Sequence, residues 1–92
     1  VGALAVIAPG HGELKSMHTA AEARGRGVAR AVLAALMDAA RAQGLTRLSL
    51  ETGSAYEFAA ARALYTAHGF EPCPPFGDYV LDPLSVFKTR LL

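Results

Sequence analysis

Apolar and polar residues follow one another along the chain in a pattern that predicts a definite order of strands and helices. Residues 3–8 form an apolar, β-prone run, and a Pro-Gly-His-Gly turn at 9–12 separates it from residues 13–19, which alternate imperfectly. These features predict a β-hairpin. The sequence opens directly on this apolar run, with neither Met nor a basic segment before it. We therefore expect the chain to be a piece of a longer protein.

Two amphipathic helices are predicted after the hairpin. Apolar residues between Val28 and Ala40 recur mainly at spacings of three and four, which is one face of an α-helix, and Gly44 is its predicted end. Residues 45–51 alternate as a strand, so the hairpin's second strand, this helix and this strand form a right-handed parallel βαβ unit. A second helix is predicted over 58–68.

The remaining residues predict two more strands and complete the fold class. Prolines soon end a short strand at 70–71, a loop covers 76–83, and residues 85–91 alternate again. The prediction is an α+β fold with a mixed β-sheet, built from a hairpin, a βαβ crossover and terminal strands, with two helices. We expect a single domain over residues 1–92.

Composition and charge exclude several functional classes. Apolar residues make up 52% of the chain, charged residues 18%, and mean hydropathy is +0.27, which argues against a disordered tail. Every apolar run is far shorter than the ~18 residues of a membrane span. The net charge of +1 has no basic stripe, so we expect no nucleic-acid partner. One cysteine and three scattered histidines predict no disulfide and no metal site, and are typical of the cytoplasm.

A glycine-rich segment between a predicted strand and the first helix carries the most chemical information. Its glycines let the backbone approach a ligand closely, and the first N–H groups of the helix point outward at the positive end of the helix dipole. Three arginines add positive charge, so the segment predicts an anion cradle suited to a pyrophosphate. Its members are Arg24, Gly25, Arg26, Gly27, Val28, Ala29 and Arg30.

Two common phosphate-binding motifs match the segment poorly. A P-loop is disfavoured because no Lys-Ser or Lys-Thr follows the glycines, and a Rossmann site because Arg30 stands where the third glycine would fall. A helix entry that contains glycines for structural reasons alone stays open as an alternative.

The segment resembles the pyrophosphate loop of the GNAT superfamily of N-acetyltransferases. That loop has Gln or Arg, any two residues, Gly, any residue, and then Gly or Ala; Arg24, Gly27 and Ala29 fill these positions. Downstream, residues 61–70 are similar to the family signature A-x-x-L-Y-x-x-x-G-F. The resemblance covers nearly the whole chain and implies the C-terminal, cofactor-binding portion of a GNAT fold. It implies acetyl-CoA as co-substrate, held by the glycine-rich segment together with Met17 and Thr19.

The resemblance also implies a reaction, in which a primary amine attacks the acetyl-CoA thioester directly. Tyr65 matches the family position of the general acid, and the backbone N–H of Met17 matches that of the group polarising the carbonyl. The residues themselves suggest two candidate bases. Glu51 ends the predicted parallel strand, at the edge where ligands of α/β sheets gather, and Glu13 lies on the neighbouring strand. The alternatives are a core aromatic for Tyr65 and solvated strand ends for both carboxylates.

Acceptor and assembly are less determined by the sequence. We expect a small-molecule amine or an amino acid as acceptor, and Phe76 and Tyr79 either line its pocket or simply pack. The family elements that precede the hairpin are not in this sequence, and Phe58 stands where many members have an Asn that touches the cofactor arm. The alternative function is therefore a non-catalytic cofactor-binding half-domain, or a self-assembling module such as a homodimer.

Overall fold

The computed structural model describes residues 2–15 and 26–92, with the side chain of Arg26 excepted. These residues form five strands, two α-helices and one 3-10 turn, Tyr56–Phe58. In chain order the strands and α-helices are β1 (Ala3–Ala8), β2 (His11–Lys15), α1 (Arg26–Ala42), β3 (Arg47–Gly53), α2 (Ala59–Ala67), β4 (Glu71–Pro72) and β5 (Ser85–Leu91).

The strands form one mixed sheet in the order β1-β2-β3-β5-β4. Strands β2 and β3 are parallel and are joined by α1, while the other neighbours are antiparallel. The α+β prediction, with its hairpin and its βαβ crossover, is confirmed. The strand order adds one feature that the pattern did not predict, because β5 lies between β3 and β4 rather than at an edge.

Both helices end as the sequence predicts. Gly44 and Gly69 have positive φ values of 79° and 85°, which glycine adopts without the steric cost that a side chain brings. The residue after each glycine bonds back over five residues, Leu45 to Ala40 and Phe70 to Tyr65, both at 3.0 Å. Each helix therefore ends in a Schellman motif, which satisfies its last carbonyl groups.

The face of the sheet that carries Leu48 and Leu50 packs against the helices. Alternation along β2 and β3 places Leu14 on the same face, opposite Leu50 in the parallel register. Helix α1 contributes its apolar stripe and α2 contributes Tyr65. The buried cluster consists of Leu14, Leu33, Met37, Ala40, Leu45, Leu48, Leu50, Ala61, Tyr65 and Phe70.

The opposite face of the sheet carries polar residues under a loop. Ser49 and Glu51 of β3 and Glu13 of β2 lie on it, together with Phe87 of β5. The segment between β4 and β5 crosses this face, and its rings pack on Phe87 at centroid distances of 5.9 and 5.4 Å. Those rings belong to Phe76 and Tyr79. Among the described residues, the aromatic rings of a loop therefore cover this face, and no helix does.

Several element boundaries differ from the prediction. Strand β3 does not end at residue 51 but continues to Gly53, because β5 pairs with it as far as Gly53–Ser85. Strand β2 begins at His11 rather than at residue 13, and its predicted continuation beyond Lys15 lies outside the described residues. The predicted start of the second helix is a 3-10 turn, and the short strand lies at Glu71–Pro72, one residue later than expected.

Candidate active site

A cleft of about 450 Å³ opens where the described pairing between β2 and β3 ends. The parallel register ends at Leu14 opposite Leu50, whereas β3 continues beside β5 to Gly53. The cleft therefore lies at the carboxyl ends of two parallel strands, where α/β sheets bind ligands. Its lining residues are Glu13, Leu14, Lys15, Leu50, Glu51, Thr52, Gly53, Phe58, Tyr65, Tyr79, Leu84 and Ser85.

All three residues predicted to be catalytic line this cleft. Tyr65 enters from α2 and the two glutamates enter from β2 and β3. Glu13 and Glu51 lie on the polar face of the sheet, whereas Tyr65 belongs to the core on the other face. The cleft thus joins groups from both faces, which makes it the candidate active site.

Tyr65 is at once a core residue and a cleft residue. It is 2% exposed, and its ring contacts Phe70 edge-on at a centroid distance of 6.1 Å. Burial raises its pKa to about 12, because the phenolate would be poorly solvated there. The phenol therefore keeps its proton at neutral pH and can act as a hydrogen-bond donor in the cleft.

Glu13 is held from two sides. Its side chain is 6% exposed, Tyr79 donates its hydroxyl proton to Oε2 over 2.6 Å, and Lys15 Nζ lies 3.8 Å from Oε1. The hydrogen bond to Glu13 raises the pKa of Tyr79 to about 12, with smaller contributions from burial and from the carboxylates of Glu13 and Glu51. Glu13 is therefore not the solvated strand end of the alternative interpretation, and Tyr79 both lines the cleft and packs.

Glu51 is held by a residue of β5, the strand that pairs with β3 on the side opposite β2. Ser85 donates its hydroxyl proton to Oε2 over 2.8 Å, and this contact follows from the pairing of β3 with β5. Glu51 is half-buried. The sequence pattern gives no signal for Ser85, because only the register of β5 brings it to Glu51 across 34 residues.

A second cleft of about 450 Å³ shares a wall with the first. Glu13, Lys15 and Tyr79 line both clefts, and the second is completed by Ala5, Ile7, Gly77 and Asp78. Glu13 therefore borders both spaces.

A chain of hydrogen bonds crosses the polar face beside Glu13. His11 Nε2 lies 2.6 Å from Ser49 Oγ, which in turn lies 2.9 Å from Thr89 Oγ1, and Arg47 donates to the same Thr89 oxygen over 2.9 Å. Burial lowers the pKa of His11, Arg47 lowers it further, and Glu13 opposes both effects. The sequence pattern predicts a turn at His11 and does not reveal this network, which links three strands.

The predicted pyrophosphate loop is described only in part. Met17, Thr19, Arg24 and Gly25 lie outside the described residues, as does the side chain of Arg26. Helix α1 begins at Arg26; Gly27, Val28 and Arg30 are exposed, whereas Ala29 is 2% exposed. A Cβ atom added to Gly27 would meet no described atom within 4 Å. The contact of this first turn of α1 with a ligand stays a prediction.

The sequence profile of the acetyltransferase (GNAT) family matches residues 1–70. The chain belongs to the GNAT acetyltransferase family. Two curated relatives are the uncharacterized N-acetyltransferases YsnE of Bacillus subtilis, 50% identical over 99% of this chain, and YedL of Escherichia coli, 49% identical over its whole length. The chain spans 60% and 58% of these two relatives, about three fifths of their length.

Solved GNAT structures have the same fold. A Klebsiella pneumoniae chain assigned as an acyl-CoA N-acyltransferase matches with a TM-score of 0.82 and 36% identity, over 99% of this chain and 61% of that one. A ribosomal-protein-alanine N-acetyltransferase from Brucella melitensis matches with a TM-score of 0.71 and 26% identity, over 99% of this chain and 60% of that one. The partial GNAT fold expected from the sequence is confirmed.

The GNAT fold implies an acyl-CoA ligand, and a feature of the described residues bears on how such a ligand fits. Thr52 lines the cleft, and its Oγ1 atom is buried without a hydrogen-bond partner among them, as expected where a polar ligand completes the site. The chain therefore fits an acyl-CoA. In the same described ranges, no cluster of three metal-ligating side chains occurs, and no helix is long and apolar enough to span a membrane.

Proposed function

We propose that this GNAT chain is part of an N-acetyltransferase that transfers the acetyl group of acetyl-CoA to a primary amine. In this reaction the amine attacks the thioester directly. The observation that carries the proposal is the cleft itself, which brings Tyr65, Glu13 and Glu51 together beside the last described pair of β2 and β3. The family membership and the relatives named N-acetyltransferases support the same reaction. Acetyl-CoA would supply the activated thioester, and the first turn of α1 with the glycine-rich segment would hold its pyrophosphate.

In this proposal Glu13 is the general base. It borders both clefts, and hydrogen bonding to Tyr79 fixes the direction of its carboxylate. An amine that arrives as an ammonium ion is attracted to the negative charges of Glu13 and Glu51 and gives up one proton to Glu13. Attack by the neutral amine leaves one further proton to be lost from nitrogen, and this proton passes to the departing thiolate as the amide forms. Glu51, held by Ser85, positions the amine and stabilises its charge before attack.

Tyr65 assists the departure of the thiolate in this proposal. Its pKa of about 12 lies well above the ~8.5 of an ordinary thiol, so complete proton transfer to the sulfur is uphill. The phenol therefore acts mainly by donating a hydrogen bond as negative charge develops on sulfur. A donor already placed in a buried site needs little reorganisation during the reaction.

The acceptor proposed is a small-molecule amine or an amino acid. The second cleft offers it a route to Glu13, with the acidic Asp78 beside the loop that carries Tyr79. A relative 45% identical to this chain, of which the chain covers 59%, is an IAA acetyltransferase of Azospirillum brasilense. That name describes the relative, and it supports an acceptor of the small-molecule class here.

Calorimetry and kinetics on the native protein test the proposal with a matched pair of proteins, the wild type and Tyr65→Phe. Phe keeps the ring against Phe70 and removes only the hydroxyl. We expect kcat to fall by about 10²-fold, with the dissociation constant of coenzyme A unchanged. Loss of coenzyme A affinity would make Tyr65 a packing residue. Absence of coenzyme A binding to the wild type at millimolar concentration would overturn the proposed function.

A second candidate, self-association, rests on exposed apolar side chains in the loop before β5. Val80, Leu81 and Leu84 are 76%, 84% and 73% exposed, which is unusual for three apolar residues so close together. Light scattering during size-exclusion chromatography tests this candidate. A monomer at all concentrations would exclude it, whereas a dimer that Leu81→Ser and Leu84→Ser dissociate would support it.

A further inference from the structure

Thr52 carries a buried hydroxyl group in an apolar position of the sheet. It follows Leu48 and Leu50 at every second residue of β3, on the face that packs against the helices. The residue is 5% exposed, and its Oγ1 atom has no hydrogen-bond partner among the described residues. It is the one buried side-chain polar atom in the described ranges with this property.

Ser49 on the other face of the same strand shows how a buried hydroxyl is normally accommodated. It is 1% exposed, and its oxygen lies 2.6 Å from His11 Nε2 and 2.9 Å from Thr89 Oγ1. A hydroxyl that loses water on folding and gains no partner destabilises the protein, whereas a valine of the same shape would not. The hydroxyl of Thr52 therefore has no stabilising role that the described contacts reveal.

The position of Thr52 points to a ligand as the missing partner. The residue lies two positions beyond Leu50, the last residue of β3 with a described partner in β2, and it lines the cleft with Tyr65 and Phe58. The other polar side chains of the cleft wall in β3 and β5 are already engaged, since Glu51 accepts a hydrogen bond from Ser85. A polar ligand group that reached the buried hydroxyl of Thr52 from the cleft would bond to it in surroundings poor in water, where a hydrogen bond is stronger than in water.

We propose that Thr52 is a ligand-binding residue whose hydroxyl donates a hydrogen bond to a carbonyl oxygen of the coenzyme A arm. This inference rests on the proposed function, because it takes the cleft to be the site of the acyl-CoA. The folded protein without ligand bears the cost of an unsatisfied hydroxyl, and the bound ligand removes it. Thr52 thus contributes to affinity for the co-substrate without taking part in proton transfer.

Two substitutions of Thr52 separate this role from a structural one. Thr52→Val keeps the shape and removes the hydroxyl, whereas Thr52→Ser keeps the hydroxyl and removes a methyl group. In the native protein without ligand we expect Thr52→Val to raise Tm by about 2–5 °C. Calorimetric titration with coenzyme A should show its dissociation constant raised about 3- to 10-fold, while Thr52→Ser stays within about threefold of the wild type.

Each outcome has a definite meaning. A Thr52→Val protein that binds coenzyme A as tightly as the wild type would overturn the inference and leave the proposed function intact. A Thr52→Val protein with a lower Tm would also overturn it, because the hydroxyl would then have a partner within the protein. If the wild type binds no coenzyme A, the proposed function and this inference both fail. The expected combination, higher stability with weaker binding, cannot result from misfolding.

Discussion

The two faces of the sheet bury their residues by different means. Leu48 and Ser49 are neighbours in β3, and they are 0% and 1% exposed. Leu48 is buried by apolar packing under the helices, while Ser49 is buried by hydrogen bonds that link His11 and Thr89. The helix face therefore supplies stability, and the polar face holds ionisable groups in fixed positions. The cleft is lined by Tyr65 from one face and by Glu13 from the other.

Paired substitutions at Leu48 and Ser49 give the largest expected contrast. Leu48→Ala leaves a cavity in the core, and we expect the free energy of unfolding to fall by about 3–5 kcal/mol. Ser49→Ala removes a hydroxyl whose partner Thr89 keeps its bonds to Arg47 and Leu48, whereas His11 Nε2 loses its bond, so a loss of about 1–2 kcal/mol is expected. Denaturant unfolding of both variants measures the difference. Equal losses would show that the two faces contribute alike.

The next largest expected effect is a loss of stability at alkaline pH that depends on Tyr65. Its pKa is raised to about 12 in the folded protein, against about 10 in the unfolded chain, so folding favours the protonated phenol. This contribution to stability is complete below pH 10 and is lost as the pH rises through 12. We expect the wild type to lose about 2–3 kcal/mol more than Tyr65→Phe between these limits. If the free energies of unfolding of the wild type and of Tyr65→Phe changed with pH in the same way, Tyr65 would not be buried in the core.

His11 gives the smallest effect, on the polar face and at acidic pH. Its pKa is lowered by burial and by Arg47, so folding favours the neutral imidazole. The resulting stability is present above pH 6.5 and is lost as the pH falls through the lowered pKa of the folded state. Unfolding free energies at pH 7.5 and pH 5 should therefore differ more in the wild type than in His11→Gln. A larger difference in His11→Gln than in the wild type would show that folding does not lower the pKa of His11.

Local patterns predicted most of the fold. The spacing in α1 and the glycines at 44 and 69 indicated both helices with their ends, because these features depend on residues within one turn of each other. The rule for carboxyl ends of parallel strands placed Glu51 at the candidate site, and the family signature added Tyr65. The predicted end of β3 at residue 51 was wrong, since the extension to Gly53 depends on pairing with β5.

Contacts between distant segments could not be predicted from these patterns. Tyr79 reaches Glu13 across 66 residues, and Ser49 reaches His11 across 38, because the strand register and the course of the loop bring them together. The pattern of Leu48, Leu50 and Thr52 predicts a face of the strand but does not show that the third member lacks a partner among the described residues. Such a property depends on every neighbouring atom and becomes visible only in three dimensions.

The place of β5 between β3 and β4 also has a consequence for synthesis on the ribosome. Strands β3 and β4 precede β5 in the chain, yet β5 pairs with both, over seven positions of β3 and two of β4. Nascent β3 therefore presents an open hydrogen-bonding edge until residues 85–91 have left the exit tunnel. A premature stop codon after residue 84 would spare every candidate catalytic side chain and still leave this edge available for aggregation.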